Sequence, residues 1–289
     1  MKGIVLAGGN GSRLHPITKG VTKQLLPIYD KPMVYYPISI LMIAGIQRIA
    51  IISDGSEIHR FKQLLGDGSD FGVSFEFIEQ SKPGGIAEAF LLSKDFIEND
   101  SVTLILGDNI FYGTGLKGLI ESAIRQNIGA TIFAHRVNDP SQFGVVNFDN
   151  DGAPVSIVEK PKASKSKYAV TGLYVYDNDV IDIAASLTPS DRGELEITDV
   201  NINYLSRKKL NVQILGRGYS WLDAGTHDSL LEAGKFVQIV EKRQGLKIAC
   251  LEEIAYYNGW LSGEQIKTIG NMSDNTSYGQ YLLSIADGK

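Results

Sequence analysis

Three glycines, Gly8, Gly9 and Gly11, stand just before Arg13 near the amino terminus. Without a Cβ, such a turn lets the backbone approach a ligand and aim its N–H groups at phosphate oxygens. The forked guanidinium of Arg13 adds a cation shaped for a di- or triphosphate. Two familiar glycine patterns are absent. The chain has no Gly-Lys-Ser/Thr of the Walker kind, and Leu14 stands where the Rossmann fingerprint needs its third glycine. Alone, the turn fits a structural use as well as phosphate binding. Asp108 lies between Gly107 and Asn109, and Asp223 lies two residues before Gly225. Two aspartates offer hard oxygen ligands to Mg²⁺ and leave positions for phosphates and water. Taken singly, each reads as a turn residue, or for Asp108 a helix cap. Glu159-Lys160-Pro161 alone reads as a charged strand end, and Gln80 as a glutamine satisfied within the core.

The elements that must position these groups follow from hydrophobic periodicity. Short apolar runs at 2–6, 48–52, 73–78, 102–106 and 130–134 predict strands, and 32–44, 57–65, 84–97 and 116–126 predict helices between them. That alternation implies βαβ units and a Rossmann-like, mostly parallel sheet flanked by helices. Asp108 then follows a strand's carboxyl end, where open α/β sheets bind ligands. Strands at 144–148, 155–158, 169–176 and 210–215 are less regularly interleaved and predict a mixed sheet or a small β subdomain. Residues 150–152 and 162–167 read as surface loops. The chain from Ser229 onward reads as largely helical. The expected division is therefore a core over 1–228 and a helical region over 229–289, the latter a candidate oligomer interface.

Composition narrows the function class. In 289 residues, 43% are hydrophobic, enough for a sizeable core. The net charge of −5 argues against a nucleic-acid partner. Lys2, Arg13, Lys19, Lys23 and Lys31 nevertheless face only Asp30 in the opening stretch, a local cationic patch suited to a small anion. With Cys250 as the single cysteine, an intrachain disulfide is ruled out. His15, His59, His135 and His227 lack the spacing of zinc ligands. No apolar run is long enough for a bilayer, and Met1-Lys2-Gly3 leads straight into Ile4-Val5-Leu6 without a signal peptide. The expected compartment is the cytoplasm.

The segment after the glycines adds specificity. Gly-Gly-x-Gly-x-Arg-Leu-x-Pro-x-Thr, followed by Lys23-Gln24-Leu25-Leu26-Pro27 and Tyr29-Asp30-Lys31-Pro32-Met33, resembles the glucose-1-phosphate thymidylyltransferase family of sugar nucleotidyltransferases. The resemblance continues through Gln80, Pro83-Gly84-Gly85-Ile86-Ala87, Gly107-Asp108-Asn109, Glu159-Lys160-Pro161 and 169–174. It extends through Arg192-Gly193-Glu194, Trp221-Leu222-Asp223-Ala224-Gly225-Thr226 and 278–283, and so covers essentially the whole chain. It implies Mg²⁺-dependent transfer of thymidylate from dTTP to glucose 1-phosphate, with pyrophosphate released. The resemblance also implies a homotetramer and a route to deoxysugars such as rhamnose.

Residue by residue, it places Arg13, Lys23, Asp108 and Lys160 in the chemistry and gives the metal to Asp108 and Asp223. Leu6, Gly8, Gly9, Gly11, Gln24, Gln80 and Gly85 fall to the nucleotide, the last two as its base-reading pair. Asn109, Gly144, Glu159 and Val170 fall to the sugar. A carboxamide suits the N3–H and O4 edge of thymine or uracil. Departures are few: Asn10, Thr22, Phe143 and Glu88 stand where the family often has Ser or Thr, Ser, Tyr and Gln respectively. The family also implies a second, inhibitory nucleotide site involving 252–259, and there Tyr257 stands in place of a common Arg. UTP or another sugar 1-phosphate is the alternative within enzymes. A regulator that binds nucleotide sugars without chemistry is the alternative outside them, and the intact charged set argues against it.

Overall fold

The computed structural model describes residues 1–9 and 11–288, so the departure at Asn10 lies outside the described residues. The strands run β1 (Lys2–Leu6), β2 (Pro27–Ile28), β3 (Lys31–Pro32), β4 (Arg48–Ser53), β5 (Ser74–Glu79), β6 (Val102–Leu106), β7 (Asn109–Gly113), β8 (Ala130–Arg136) and β9 (Gly144–Phe148). They continue with β10 (Pro154–Glu159), β11 (Tyr168–Tyr176), β12 (Leu210–Leu215) and β13 (Tyr219–Asp223). The helices are α1 (Tyr35–Ile43), α2 (Ile58–Leu65), α3 (Glu88–Leu92), α4 (Lys94–Ile97), α5 (Leu116–Gln126), α6 (Val180–Ser186) and α7 (Ile197–Ser206). After them come α8 (His227–Gln244), α9 (Leu251–Tyr257), α10 (Gly263–Asn271) and α11 (Ser277–Ala286).

Nine strands form one sheet in the order β10-β9-β11-β6-β1-β4-β5, with β8 and β12 extending from β11. The strands β6, β1, β4 and β5 are parallel, and β11 runs antiparallel to β6. Helices cover both faces, so the central strands are apolar throughout and do not alternate. In β1, Ile4 packs with α3, α4, α6 and α7, while Val5 packs with α1, α5 and the carboxy-terminal helices. The later strands β9, β10 and β12 join this mixed sheet. The small antiparallel pieces come instead from β13 paired with β7 and from β2 paired with β3.

Two helices differ from the sequence reading for local reasons. The one expected over 32–44 starts at Tyr35, because Lys31–Pro32 is already paired with Pro27–Ile28. The one expected over 84–97 splits into α3 and α4 and begins only at Glu88. Its first residues bond to Leu195 instead, with Leu195 N donating to Gly84 O and Ala87 N to Leu195 O. Gly85 has φ +95°, and a Cβ there would lie 2.4 Å from the Leu195 carbonyl, so only glycine permits this approach. In the helical region, α8 begins at His227 under a Thr226–Ser229 capping box, two residues before the expected start. Leu251, Ala255, Ile266 and Leu282 share one apolar cluster with Val5 and Ile51, so these helices complete one face of the sheet.

Candidate active site

Parallel pairing of β1 with β6 sets Leu6 beside Leu106, so the glycine turn and Gly107-Asp108-Asn109 emerge together at the sheet's carboxyl edge. Gly107 N donates to Leu6 O at 2.9 Å. The β7–β13 ladder carries Asp223 across from Asn109, and Ala224 N donates to Asp108 O at 3.1 Å. Two carboxylates 115 residues apart are thereby held at the mouth of one cleft.

Their surroundings differ. The Asp108 Oδ2 atom is paired with the buried Lys23 ammonium, and Oδ1 accepts from Asn109 Nδ2 at 2.8 Å. The Asn109 Oδ1 atom accepts from Trp221 Nε1 at 2.6 Å and from Gly172 N at 3.0 Å. Both of those partners are donors only, so the amide orientation is fixed. Asn109, expected among the sugar contacts, thus has its Oδ1 occupied and one Nδ2 hydrogen on Asp108, and it lines the larger hollow with its second Nδ2 hydrogen unassigned. In contrast, Asp223 Oδ1 is buried with no hydrogen-bond partner among the described residues. Burial first, then the Asp108 charge, pushes this carboxyl up to about 6, against the opposing pull of Lys23 and Arg13. Gly225 makes room here, since a Cβ would lie 2.9 Å from Asp223 Oδ1 and 3.0 Å from the Arg13 guanidinium.

An orphaned buried oxygen beside a second carboxylate fits a divalent cation. No group of three or more potential His, Cys, Asp or Glu ligands occurs among the described residues. That suits Mg²⁺, which takes few protein ligands and completes its shell with water and substrate phosphates.

Two adjoining hollows open from this point. The larger, about 690 Å³, is lined by Arg13, Asp108, Asn109, Gly144, Glu159, Lys160, Val170 and Asp223, among others. The smaller, about 190 Å³, is lined by Leu6, Gly8, Gly9, Gln80 and Gly85. Glu159, Lys160 and Arg192 form a wall common to both. Gly144 pairs with Glu159 in the β9–β10 ladder, and its missing side chain leaves the Glu159 carboxylate open to the hollow. The Glu159 Oε2 atom accepts from Thr198 Oγ1 at 2.6 Å. Lys160 has φ +41°, uncommon for a non-glycine residue, and its N–H donates to Phe143 O.

Two expected nucleotide residues sit behind this surface. Gln24 is buried, donates to Gly8 O at 3.2 Å and accepts from Thr22 Oγ1 at 3.2 Å. It braces the glycine turn and lines neither hollow. Gly11, at φ +53°, supplies the turn itself against Thr18 and Lys23.

Three residues of the cleft lay outside the sequence-based site. Arg192 reaches both hollows, and its Nη2 donates to Glu196 Oε1 at 2.8 Å. Trp221 packs edge-on against Phe143 with centroids 5.0 Å apart. Both stand in motifs that were legible, but only the fold turns them inward. Thr171 stands in the 169–174 motif as well, but nothing in its residue type marked it as a cleft residue. It sits where β11 slips register against β8 between Val170 and Tyr174, and its buried Oγ1 has no partner among the described residues.

Away from the cleft, a cavity of about 440 Å³ is bounded by α1, α5 and α9, with Glu253, Ile254, Tyr257 and Asn258 in its wall. It contains residues of the segment expected to form a second site.

The model of the nucleotidyl transferase family matches residues 2–239. A Neisseria meningitidis protein named glucose-1-phosphate thymidylyltransferase is 55% identical over 285 residues, covering 99% of each chain. One of the same name from Mycolicibacterium smegmatis is 54% identical over 287 residues, again covering 99% of each. Among solved structures, a Bacillus anthracis chain described as a glucose-1-phosphate thymidylyltransferase, in complex with a sucrose, superposes with a TM-score of 0.76 at 46% identity. That match covers 82% of this chain and 94% of the other. A UDP-glucose pyrophosphorylase complexed with UDP-glucose, at 24% identity and a TM-score of 0.73, shares the fold.

Proposed function

Because this chain belongs to the nucleotidyl transferase family, we propose that it transfers thymidylate from dTTP to glucose 1-phosphate, giving dTDP-glucose and pyrophosphate. The observation that carries the reading is the meeting of the two hollows. Asp108 and Asp223 stand at the larger one beside Arg13, with Lys160 in the wall it shares with the smaller. Sequence identity of 50–55% to full-length relatives of that name supports the same pair of substrates.

In the reaction, an ionised oxygen of the sugar phosphate attacks the α-phosphorus of dTTP. The bond from that phosphorus to the β-phosphate oxygen breaks, and pyrophosphate leaves with the electron pair. A phosphate monoester is already ionised near neutrality, so no general base is needed. Charge is the main obstacle, because two anions must meet. Arg13 and Lys23 offset it on the triphosphate side, and Lys160 and Arg192 on the sugar-phosphate side. Glu159 accepts from sugar hydroxyls in the larger hollow, while Gln80 and Gly85 meet the base in the smaller. Asp108 and Asp223 would hold Mg²⁺, which when bound neutralises phosphate charge and polarises the phosphorus–oxygen bonds.

The testing experiment is pyrophosphate release measured across several triphosphates and several sugar 1-phosphates, with and without Mg²⁺. The expected best pair is dTTP with glucose 1-phosphate. A clear preference for another pair, or undiminished release in EDTA, would overturn the corresponding assignment. The same reading extends to a cytoplasmic homotetramer feeding deoxysugar synthesis. No helix of the described residues is long and apolar enough to cross a membrane. The cavity beside α9 is assigned to end-product inhibition by a nucleotide sugar.

A further inference from the structure

We propose that Glu88 dictates which end of the Gln80 carboxamide faces the base, and thereby sets the pyrimidine choice of the nucleotide slot. This deepens the dTTP reading above and rests on Gln80 as the residue that meets the base.

Gln80 is 7% exposed and lines the smaller hollow. Its backbone N–H donates to Ser53 O at 2.8 Å, which anchors it at the end of β5. Its Nε2 donates to Glu88 Oε2 at 2.7 Å. In most proteins the two ends of a glutamine amide are hard to tell apart. Here chemistry decides. An ionised carboxylate only accepts, so the reversed amide would set two acceptor oxygens against each other. No donor among the described residues meets the remaining Oε1, and Glu88 has no ion-pair partner among them to draw it away from Gln80. A Cβ added to Gly8 would lie 2.6 Å from that Oε1, so the free acceptor lies against the glycine turn, on the slot side. Two glycines make the arrangement possible, since a Cβ on Gly84 would lie 2.3 Å from the Glu88 carboxylate oxygens.

An acceptor left free on the slot side of a largely buried residue selects a donor. Thymine and uracil present N3–H, whereas cytosine presents a lone pair at N3, which would leave both acceptors unsatisfied. A glutamine at position 88, common in the family, offers both a donor and an acceptor. Either orientation of Gln80 would then be paired. Glutamate removes that freedom.

The test compares kcat/KM for dTTP and CTP in the wild-type chain and in Glu88→Gln, which preserves shape. The wild type is expected to favour dTTP by about a hundredfold or more, and the variant to lose about tenfold of that ratio through a gain with CTP. The KM for glucose 1-phosphate should stay constant, since Glu88 does not line the larger hollow. Loosened packing would depress both triphosphates together and would not raise CTP. A second variant, Glu88→Met, removes the carboxylate entirely and should narrow the ratio likewise. An unchanged ratio in either folded variant overturns the role of Glu88. Equal use of CTP and dTTP by the wild type overturns the reading of Gln80 instead, so the two failures are distinguishable.

Discussion

In the cleft at the strand ends, Lys160 and Arg192 are nearly half exposed and lean on Glu159 and Glu196, partners that water or a phosphate can replace. In the cavity beside α9, Lys247 is 12% exposed and locked between Asp30 and Glu241, with Glu241 itself buried. Lys117 is the exposed cation of that wall and lies 3.9 Å from Glu121. Tyr257, 71% exposed, stands in the same wall with a neutral phenol. The contrast teaches that a lysine count does not measure anion capacity. An ammonium held between two carboxylates away from the cleft, like Lys247, holds the fold together, while one paired with a single carboxylate at the cleft, like Lys23 or Lys160, remains available to a ligand.

The largest effect expected from this contrast lies in the cleft. Asp108→Asn or Asp223→Asn should lower turnover about a thousandfold with the fold intact, because each removes a negative metal ligand at the reacting phosphates. Near-wild-type turnover at limiting Mg²⁺ would remove both residues from the metal site. Lys247→Met should act on stability instead. It strands Asp30 and Glu241, partly relieved by Lys31, which bonds to both. The expected loss is about 2 kcal/mol, a fall in Tm of roughly 4–8 °C with turnover unchanged at saturating substrate. Lost turnover without lost stability would assign Lys247 to ligand binding after all.

A smaller effect of opposite sign is expected from Asp223→Asn in metal-free protein. The folded-state pKa of Asp223, about 6, lies above the ordinary carboxyl value of 3.8. The native state therefore binds the extra proton between those values. The ionised group costs stability above pH 6, and the cost disappears as pH falls toward 3.8. Above pH 6 the asparagine variant should melt about 2–4 °C higher, a gain on the order of 1 kcal/mol. Below pH 4 the difference should vanish. A variant less stable at pH 8 would mean that the orphaned carboxylate is not a cost. The smallest effect concerns Tyr257→Arg, which adds an exchangeable cation to the second cavity. Noncompetitive inhibition by dTDP-rhamnose at saturating dTTP should tighten about fivefold, the worth of one charge-assisted contact at a wet surface. Strong inhibition that ignores the substitution would show that position 257 does not tune this cavity.

Much of this was legible in the chain itself. Apolar runs marked β1 and β6 at their observed bounds, because strands buried on both faces have few polar positions to blur them. The glycine turn and the carboxylates announced themselves by residue type and motif, since close backbone approach and metal binding admit few substitutes. The rest was settled by contacts distant in sequence. The ribbon of β7 with β13 joins segments more than 100 residues apart and puts Asp223 opposite Asn109. Without that pairing Asp223 is only a carboxylate near a glycine. Gln24 reads as a ligand residue by position, yet its amide is bonded to Gly8 and Thr22 and it lines neither hollow, whereas Asn109, held by Trp221 and Gly172, still reaches the cleft wall. Hydrogen bonding is directional and each group has few places to spend, so which polar residues remain free for a substrate depends on who their neighbours are. Sequence determined what chemistry was on hand, and tertiary structure decided which groups were still available to perform it.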